Sequence, residues 1–209
     1  MPGDSGLYAF VRFKGGKTKK GPFTISGDAD DAFHRNWNEI SGFGHSATWP
    51  SEDRAGAGVS VVTSEEGAEE QTPVQPQCQH ADFVFSKRTD VGTPALFQAA
   101  SLAAYFESFR LELCREAGAG LPYFVIHLKN VGVRSVEFSG GFSEGLPVEK
   151  VTLVYSEIHW LYLQWSDGGL LQRKVFGAFN HDENTPIAFD NTILQEMTLE
   201  RLKARAPAE

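Results

Sequence analysis

Apolar and polar side chains alternate along most of the chain, a pattern that is typical of half-buried β-strands. The first alternating segment runs from Leu7 to Phe13, and turns rich in glycine, proline and aspartate separate it from those that follow. The later segments are 81–85, 109–114, 123–138 and 171–179. The chain is therefore predicted to be mainly β.

Two regions depart from simple alternation. Between Phe33 and Trp49 the aromatic residues occupy odd positions around Gly42 and Gly44, which predicts one bent strand or two short ones. The segment from Pro147 to about Trp165 is predicted as one long strand with apolar side chains on both faces. Both faces of such a strand are buried, as happens in a sandwich, in a barrel packed by a helix, or in a barrel wall that meets a neighbouring subunit.

Two segments have a helical period instead. Asp90 and Thr93 are candidate N-caps and Pro94 suits a first helical turn, so a helix is predicted over 95–104. From Asp190 to Ala204, apolar residues recur at helical spacing between charged ones. This pattern predicts a short amphipathic C-terminal helix.

The segment 50–77 is predicted to be a long loop, with a short strand at Val59–Thr63. Six acidic residues and one arginine give the segment a net charge of −5. A loop of this length inside a compact domain usually carries a function or moves.

Composition narrows the function classes. The 209 residues carry a formal net charge of −8, which disfavours nucleic acid as a partner because phosphate-binding surfaces are basic. No stretch reaches the roughly 18 apolar residues of a membrane helix, and the N-terminus lacks the layout of a secretory signal peptide. We expect a protein made in the cytosol that leaves the cell only if a dedicated machine carries it.

Cys78 and Cys114 do not form a disulfide framework, so free thiols are predicted.

Some motifs suggest chemistry but lack the context that it needs. Gly141–Gly145 matches the nucleophile pattern G-x-S-x-G at Ser143, yet Pro147 leads into a strand and not into the required helix. Gly16-Lys17-Thr18 follows the first strand like the end of a phosphate-binding loop, but 19–22 cannot open a helix. The six histidines show none of the spacings of a metal site. We therefore predict no catalytic residue, cofactor or metal, and a protein that is not an enzyme.

Three segments carry a family resemblance. Phe83–Phe97 combines a strand, the turn Asp90-Val91-Gly92-Thr93-Pro94 and the start of a helix. Gly27–Ile40 leads through His34 and Trp37 into a turn of small residues, and Pro147–Tyr162 continues as a long alternating strand. In this order, over about residues 6 to 184, the chain resembles the haemolysin-coregulated protein (Hcp) family of the type VI secretion system. The acidic loop 50–77 is longer than the family's extended loop, and the tail from about Ile187 exceeds the usual family end.

The resemblance implies a small antiparallel β-barrel with one flanking α-helix, spanning 1–186, to which 187–209 adds a short helical extension. It implies that six copies close into a ring and that rings stack into a tube, which a contractile apparatus drives out of a Gram-negative cell. The implied partners are further copies of the chain and the sheath, spike and effector proteins, some of which the lumen carries. Neither nucleic acid nor membrane insertion is implied.

The charge map adds one candidate contact between rings. The basic turn after the first strand and the acidic loop carry opposite charges, and in stacked rings they could meet. The proposed contact residues are Lys17, Lys19, Lys20, Glu65, Glu66, Glu69 and Glu70. The sequence leaves two other hypotheses open, a monomeric β-barrel or sandwich that binds sugar or another small ligand, and a hydrolase built on Ser143.

Overall fold

The computed structural model describes residues 7–48, 59–62, 70–73, 78–115, 121–140, 145, 147–166 and 169–205. The chain divides into two compact units, one formed by Met1–Gly44 with Asp82–Glu209 and the other by His45–Ala81. The strands are β1 (Tyr8–Lys14), β2 (Lys17–Thr18), β3 (Gly21–Pro22), β4 (Asn38–Glu39), β5 (Gly42–Gly44), β6 (Ala47–Thr48), β7 (Val59–Val62), β8 (Glu70–Pro73), β9 (Gln79–His80), β10 (Phe83–Arg88), β11 (Tyr105–Cys114), β12 (Pro122–Ser139), β13 (Val148–Val154), β14 (Glu157–Trp165), β15 (Leu171–Asn180) and β16 (Thr185–Pro186). The helices are α1 (Thr93–Ser101) and α2 (Thr192–Arg205).

Strand pairing in the larger unit follows a circuit. β1 pairs antiparallel with β11, β11 with β12, β12 with β13, and β13 with β10. The circuit returns through the segment 38–44, whose first part pairs with β1 and whose second part pairs with β10. The backbone N–H of Ile40 donates a hydrogen bond to the Ala9 carbonyl, and that of Ser41 donates to the Ser86 carbonyl. The segment therefore changes its strand partner between these two residues. The mainly β, antiparallel and barrel-like fold predicted from the sequence is confirmed.

The prediction of a single strand over 147–165 is wrong in one respect, because the strand is interrupted at Tyr155 and Ser156. β13 and β14 run in succession along one edge of β12, and Asn130 of β12 has a left-handed φ of 55° opposite the interruption. The buried positions therefore change phase, from Val151 and Leu153 before the break to Ile158 after it.

The main core fills the inside of the circuit with aromatic and β-branched side chains, and Leu96 and Ala99 of α1 pack against it. α1 begins at Thr93 with Pro94 in its first turn, as predicted. The predicted caps are wrong, however, because Gly92 holds the N-cap position without a side-chain bond. Asp90 instead accepts a hydrogen bond from the backbone N–H of Gly92, at 2.7 Å.

A third prediction fails between Phe33 and Trp37, where the chain forms a loop and not a strand. Asp31 Oδ1 accepts hydrogen bonds from the backbone N–H groups of Phe33 and His34, and Asn36 has a φ of 64°. These local bonds compete with strand pairing. Short strands do follow, at β4, β5 and β6.

In the unit His45–Ala81, β6 pairs with β9 and β7 pairs with β8, so the predicted short strand near Val59 is confirmed. The C-terminal helix, predicted over 190–204, is α2, and it packs within the unit that contains the sheet. Within the described ranges, neither helix has both the length and the apolar composition needed to span a membrane.

Candidate functional site

The basic turn proposed for ring stacking is the β2–β3 hairpin and its flanks. Lys17 Nζ lies 2.8 Å from Glu107 of the same chain, and Lys14 Nζ lies 2.8 Å from Glu196 of α2. Lys19 and Lys20 are exposed. Because Lys17-Thr18 is a strand that turns into another strand, the phosphate-binding alternative has no helix at which to hold an anion.

The acidic partners of that contact lie largely outside the described residues. This applies to Glu65, Glu66 and Glu69, while Glu70 begins β8 with its backbone paired to Val62. Ser143 also lies outside the described residues. The stacking contact therefore stays a prediction.

The turn that carries the strongest family resemblance encloses a buried ion cluster. Lys87 and Glu149 are both 0% exposed, on paired positions of β10 and β13. Lys87 Nζ lies 2.5 Å from Asp90 and 3.6 Å from Glu149, and the Thr93 hydroxyl donates to Glu149. The cluster joins the end of β10, the turn and the first residue of α1 to β13.

Gly92 is required inside this turn. A Cβ atom there would lie 2.6 Å from the Asn38 side chain and 2.8 Å from the Ser26 carbonyl oxygen, so a larger residue would displace the turn. The motif Asp90-Val91-Gly92-Thr93-Pro94 thus has a structural role, in holding α1 against the sheet.

A second buried cluster centres on Glu112 of β11. Its Oε2 lies 3.0 Å from His34 Nε2 and 2.7 Å from Arg201 of α2, and its Oε1 lies 3.2 Å from Arg110. His34 Nδ1 in turn lies 2.6 Å from Asp31. The hydrogen bond with His34 and the nearby guanidinium groups outweigh the effect of burial and hold the pKa of Glu112 well below its ordinary value.

Cys114 lies beside this cluster, with its Sγ 3.9 Å from His34 Nε2. His34, Glu112 and Cys114 form the group of potential metal ligands found among the described residues. Burial and the Glu112 charge raise the pKa of the thiol to about 12, so it stays protonated, and two guanidinium groups already neutralise Glu112. The arrangement therefore fits an ion-pair network better than a cation site.

Sequence reasoning missed both clusters because even residues in direct contact, such as Glu112 and Arg201, are up to 89 positions apart. One available signal was the run Arg110, Glu112 and Cys114 at every second position, which places three polar groups on the face of β11 away from the main core. Cys78 and Cys114 are both free thiols, as predicted.

Two groups of exposed apolar side chains lie on the larger unit. The helix patch surrounds α1 and consists of Val91, Phe97, Leu102 and Phe138, with the Phe97 and Phe138 rings 6.3 Å apart. The hairpin patch lies on β14 and β15 and consists of Tyr162, Leu171 and Val175. Tyr162 and Val175 are direct cross-strand partners, and Val175 is 48% exposed.

The hairpin patch adjoins an open sheet edge. β15 pairs with β16 only through Phe179 and Asn180, and within the described part of the chain its outer edge from Leu171 to Gly177 has no other strand partner. Exposed apolar surface next to an unpaired strand is a site for association with another chain.

Solved structures with a similar fold include proteins of the type six secretion system. The chain aligns over 87% of its length with 99% of a type six secretion system protein, at 20% identity and a TM-score of 0.65. Hcp1 from Salmonella typhimurium aligns over 87% of the chain and 99% of its own, at 17% identity and a TM-score of 0.61. Hcp3 from Pseudomonas aeruginosa, a secreted protein, aligns over 83% and 97%, at 17% identity and a TM-score of 0.54.

Sequence comparison gives the family directly. The family model described as type VI secretion system effector, Hcp, matches residues 10–162. The chain therefore belongs to the Hcp family. A comparison with curated proteins finds no match.

Proposed function

We propose that this chain is the ring-forming subunit of a type VI secretion tube, exported through the contractile apparatus. The observation that carries the proposal is the family match over residues 10–162. The tube exposes its subunits to sheath and spike proteins, and its lumen carries effectors. The protein acts by assembly and not by catalysis.

The exposed surfaces support a ring. The helix patch and the hairpin patch lie on different elements, so a contact that joins one patch to the other patch of a second copy would be head to tail. Head-to-tail contacts produce rings when the rotation between copies closes. Burying one of these apolar side chains would contribute about 1.5–3 kcal/mol.

We expect Leu171→Asp with Val175→Asp to abolish the ring, because the charges would be buried against an apolar surface without partners. Light scattering and native mass spectrometry should show six subunits for the unmodified chain and one for the variant. Leu199→Asp on α2, where the side chain is also exposed, is the matched control and should keep six. A folded double variant that still forms six-subunit species would contradict the role of the hairpin patch.

Stacking of rings is proposed to depend on charge. Lys17, Lys19 and Lys20 of one ring would face Glu65, Glu66, Glu69 and Glu70 of the next. Exposed ion pairs are each worth about 0–1 kcal/mol and are screened over about 8 Å at physiological ionic strength, but a ring repeats each contact.

Reversal of the four glutamates to lysine should therefore abolish stacks and leave rings intact, and added salt should have the same effect on the unmodified chain. Sedimentation at low and high salt measures both species. Stacks that respond neither to salt nor to the reversal would show that the loop makes no electrostatic contact.

A further inference from the structure

The C-terminal segment Phe189–Arg205, called the cover below, packs on the side of the sheet away from the main core. Its apolar residues form a second buried cluster with side chains of β12 and β14. This cluster consists of Val125, Leu161, Leu163, Phe189, Ile193 and Met197. The whole cover lies beyond the residues that the family model matches.

Ion pairs hold the cover at its two ends. Asp190 lies 2.8 Å from Lys129 of β12 at the start of the segment. Further along, Glu200 pairs with Arg12 of β1 and Arg110 of β11, while Arg201 pairs with Glu112. Each of these charges on the cover therefore meets an opposite charge on the sheet.

Two histidines lie beneath the cover. His127 of β12 and His159 of β14 are direct cross-strand partners, with ring centroids 6.3 Å apart. They share a sheet face with Val125 and Leu161, which the cover buries, and the ring of Phe189 lies 5.7 Å from that of His159.

Burial disfavours a positive charge on either histidine. His127 is 7% and His159 is 1% exposed, and the Nδ1 atom of each is buried without a hydrogen-bond partner. Arg110 of β11, the register partner of His127, and Lys129 of β12 oppose a positive charge, whereas Glu157 of β14 and Asp190 of the cover favour one.

Burial dominates this balance at both rings. It lowers the pKa of His127 to about 3, with Arg110, His159 and Lys129 acting in the same direction. Burial also lowers the pKa of His159, against the opposing hydrogen bond with Glu157. Lifting the cover would give both rings water in which to ionise.

We propose that the cover is an acid-sensitive latch, which opens from the sheet when the His127–His159 pair takes up protons. Opening would uncover the apolar face of β12 and β14 together with Arg12, Arg110 and Glu112. The inference is independent of ring assembly.

The direction of the effect follows from linkage. When docking lowers the pKa of a histidine, docking weakens as the pH falls from the ordinary histidine pKa of 6.5 towards the pKa of the docked state. Between about pH 7 and pH 5, one such histidine shifts the opening equilibrium by roughly 25-fold. Asp190, Glu112 and Glu200 have lowered pKa values and stay ionised in the docked state over this range, so they contribute much less to the shift than a histidine does.

Amide hydrogen exchange of 192–205, corrected for the intrinsic rate at each pH, measures the opening. We expect the protection of α2 amides against exchange to fall by about 20-fold or more between pH 7 and pH 5, while the protection of β11 and β12 changes little. His127→Gln with His159→Gln should reduce the change to less than about twofold, because neither side chain then titrates. His181→Gln, at an exposed histidine, is the control and should behave like the unmodified chain.

An equal loss of α2 protection in the double variant, or a loss shared by the strands, would overturn the proposal. If the double variant does not fold, proton resonances of His127 in the unmodified chain decide the matter. A titration of His127 at its ordinary pKa with α2 still docked would overturn the latch, and a titration that coincides with the loss of α2 contacts would support it.

Discussion

Replacement of Lys87 by Met is expected to destabilise the protein by about 3–5 kcal/mol, because it leaves Glu149 and Asp90 buried without their cation. Denaturation by urea, followed by circular dichroism, measures the change in the free energy of unfolding. Lys150→Met is a matched control, since Lys150 is paired with Ser86 on the same strands but is half exposed. We expect a change there within about 1 kcal/mol.

The same cluster allows a second measurement. If Lys87 matters through charge, then Lys87→Met combined with Glu149→Leu should be more stable than Lys87→Met alone. A Lys87→Met protein as stable as the Lys150→Met control would contradict the assignment of the family's turn motif to a buried ion cluster.

Replacement of Glu112 by Gln is expected to lower the free energy of unfolding by a similar amount, about 3–5 kcal/mol near neutral pH. The reason is that Arg110, Arg201 and His34 lose their shared anion. The loss should depend on pH. Since the folded pKa of Glu112 lies below its ordinary value of 4.5, its contribution is complete above that value and disappears as the pH falls further.

The unmodified chain should therefore lose stability below about pH 4.5 more steeply than Glu112→Gln does. Glu107→Gln on the same strand is the control, because Glu107 pairs with Lys17 in solvent, and its unfolding midpoint should be nearly unchanged. Identical acid slopes for the unmodified chain and Glu112→Gln would show that other carboxylates control acid unfolding.

The strands and helices were predictable where apolar spacing is regular, as in β11, β12 and α1. The interruption at Tyr155 was not, because apolar side chains on both faces hide a change of phase. The loop at Phe33 was mistaken for a strand although Asp31 and Asn36, both common in turns, flank it.

The candidate sites were less predictable than the fold. Arg12 and Arg110 are spaced like residues that face water, and the sequence alone does not show that Glu200 meets both of them. Contacts between residues 90 or more positions apart depend on the assembled sheet. The resemblance identified the family correctly, but it gave no role to a helix that lies beyond the family's usual end.

The position of the cover along the chain also affects biosynthesis. α2 is the last described element to leave the ribosome, yet its partner Arg12 belongs to the first, 188 positions earlier. Any sheet that forms before the cover is synthesised leaves Val125, Leu161 and Leu163 open to water. A nascent chain stalled before Phe189 would expose this apolar surface, so synthesis of the cover is itself the step that protects it from aggregation.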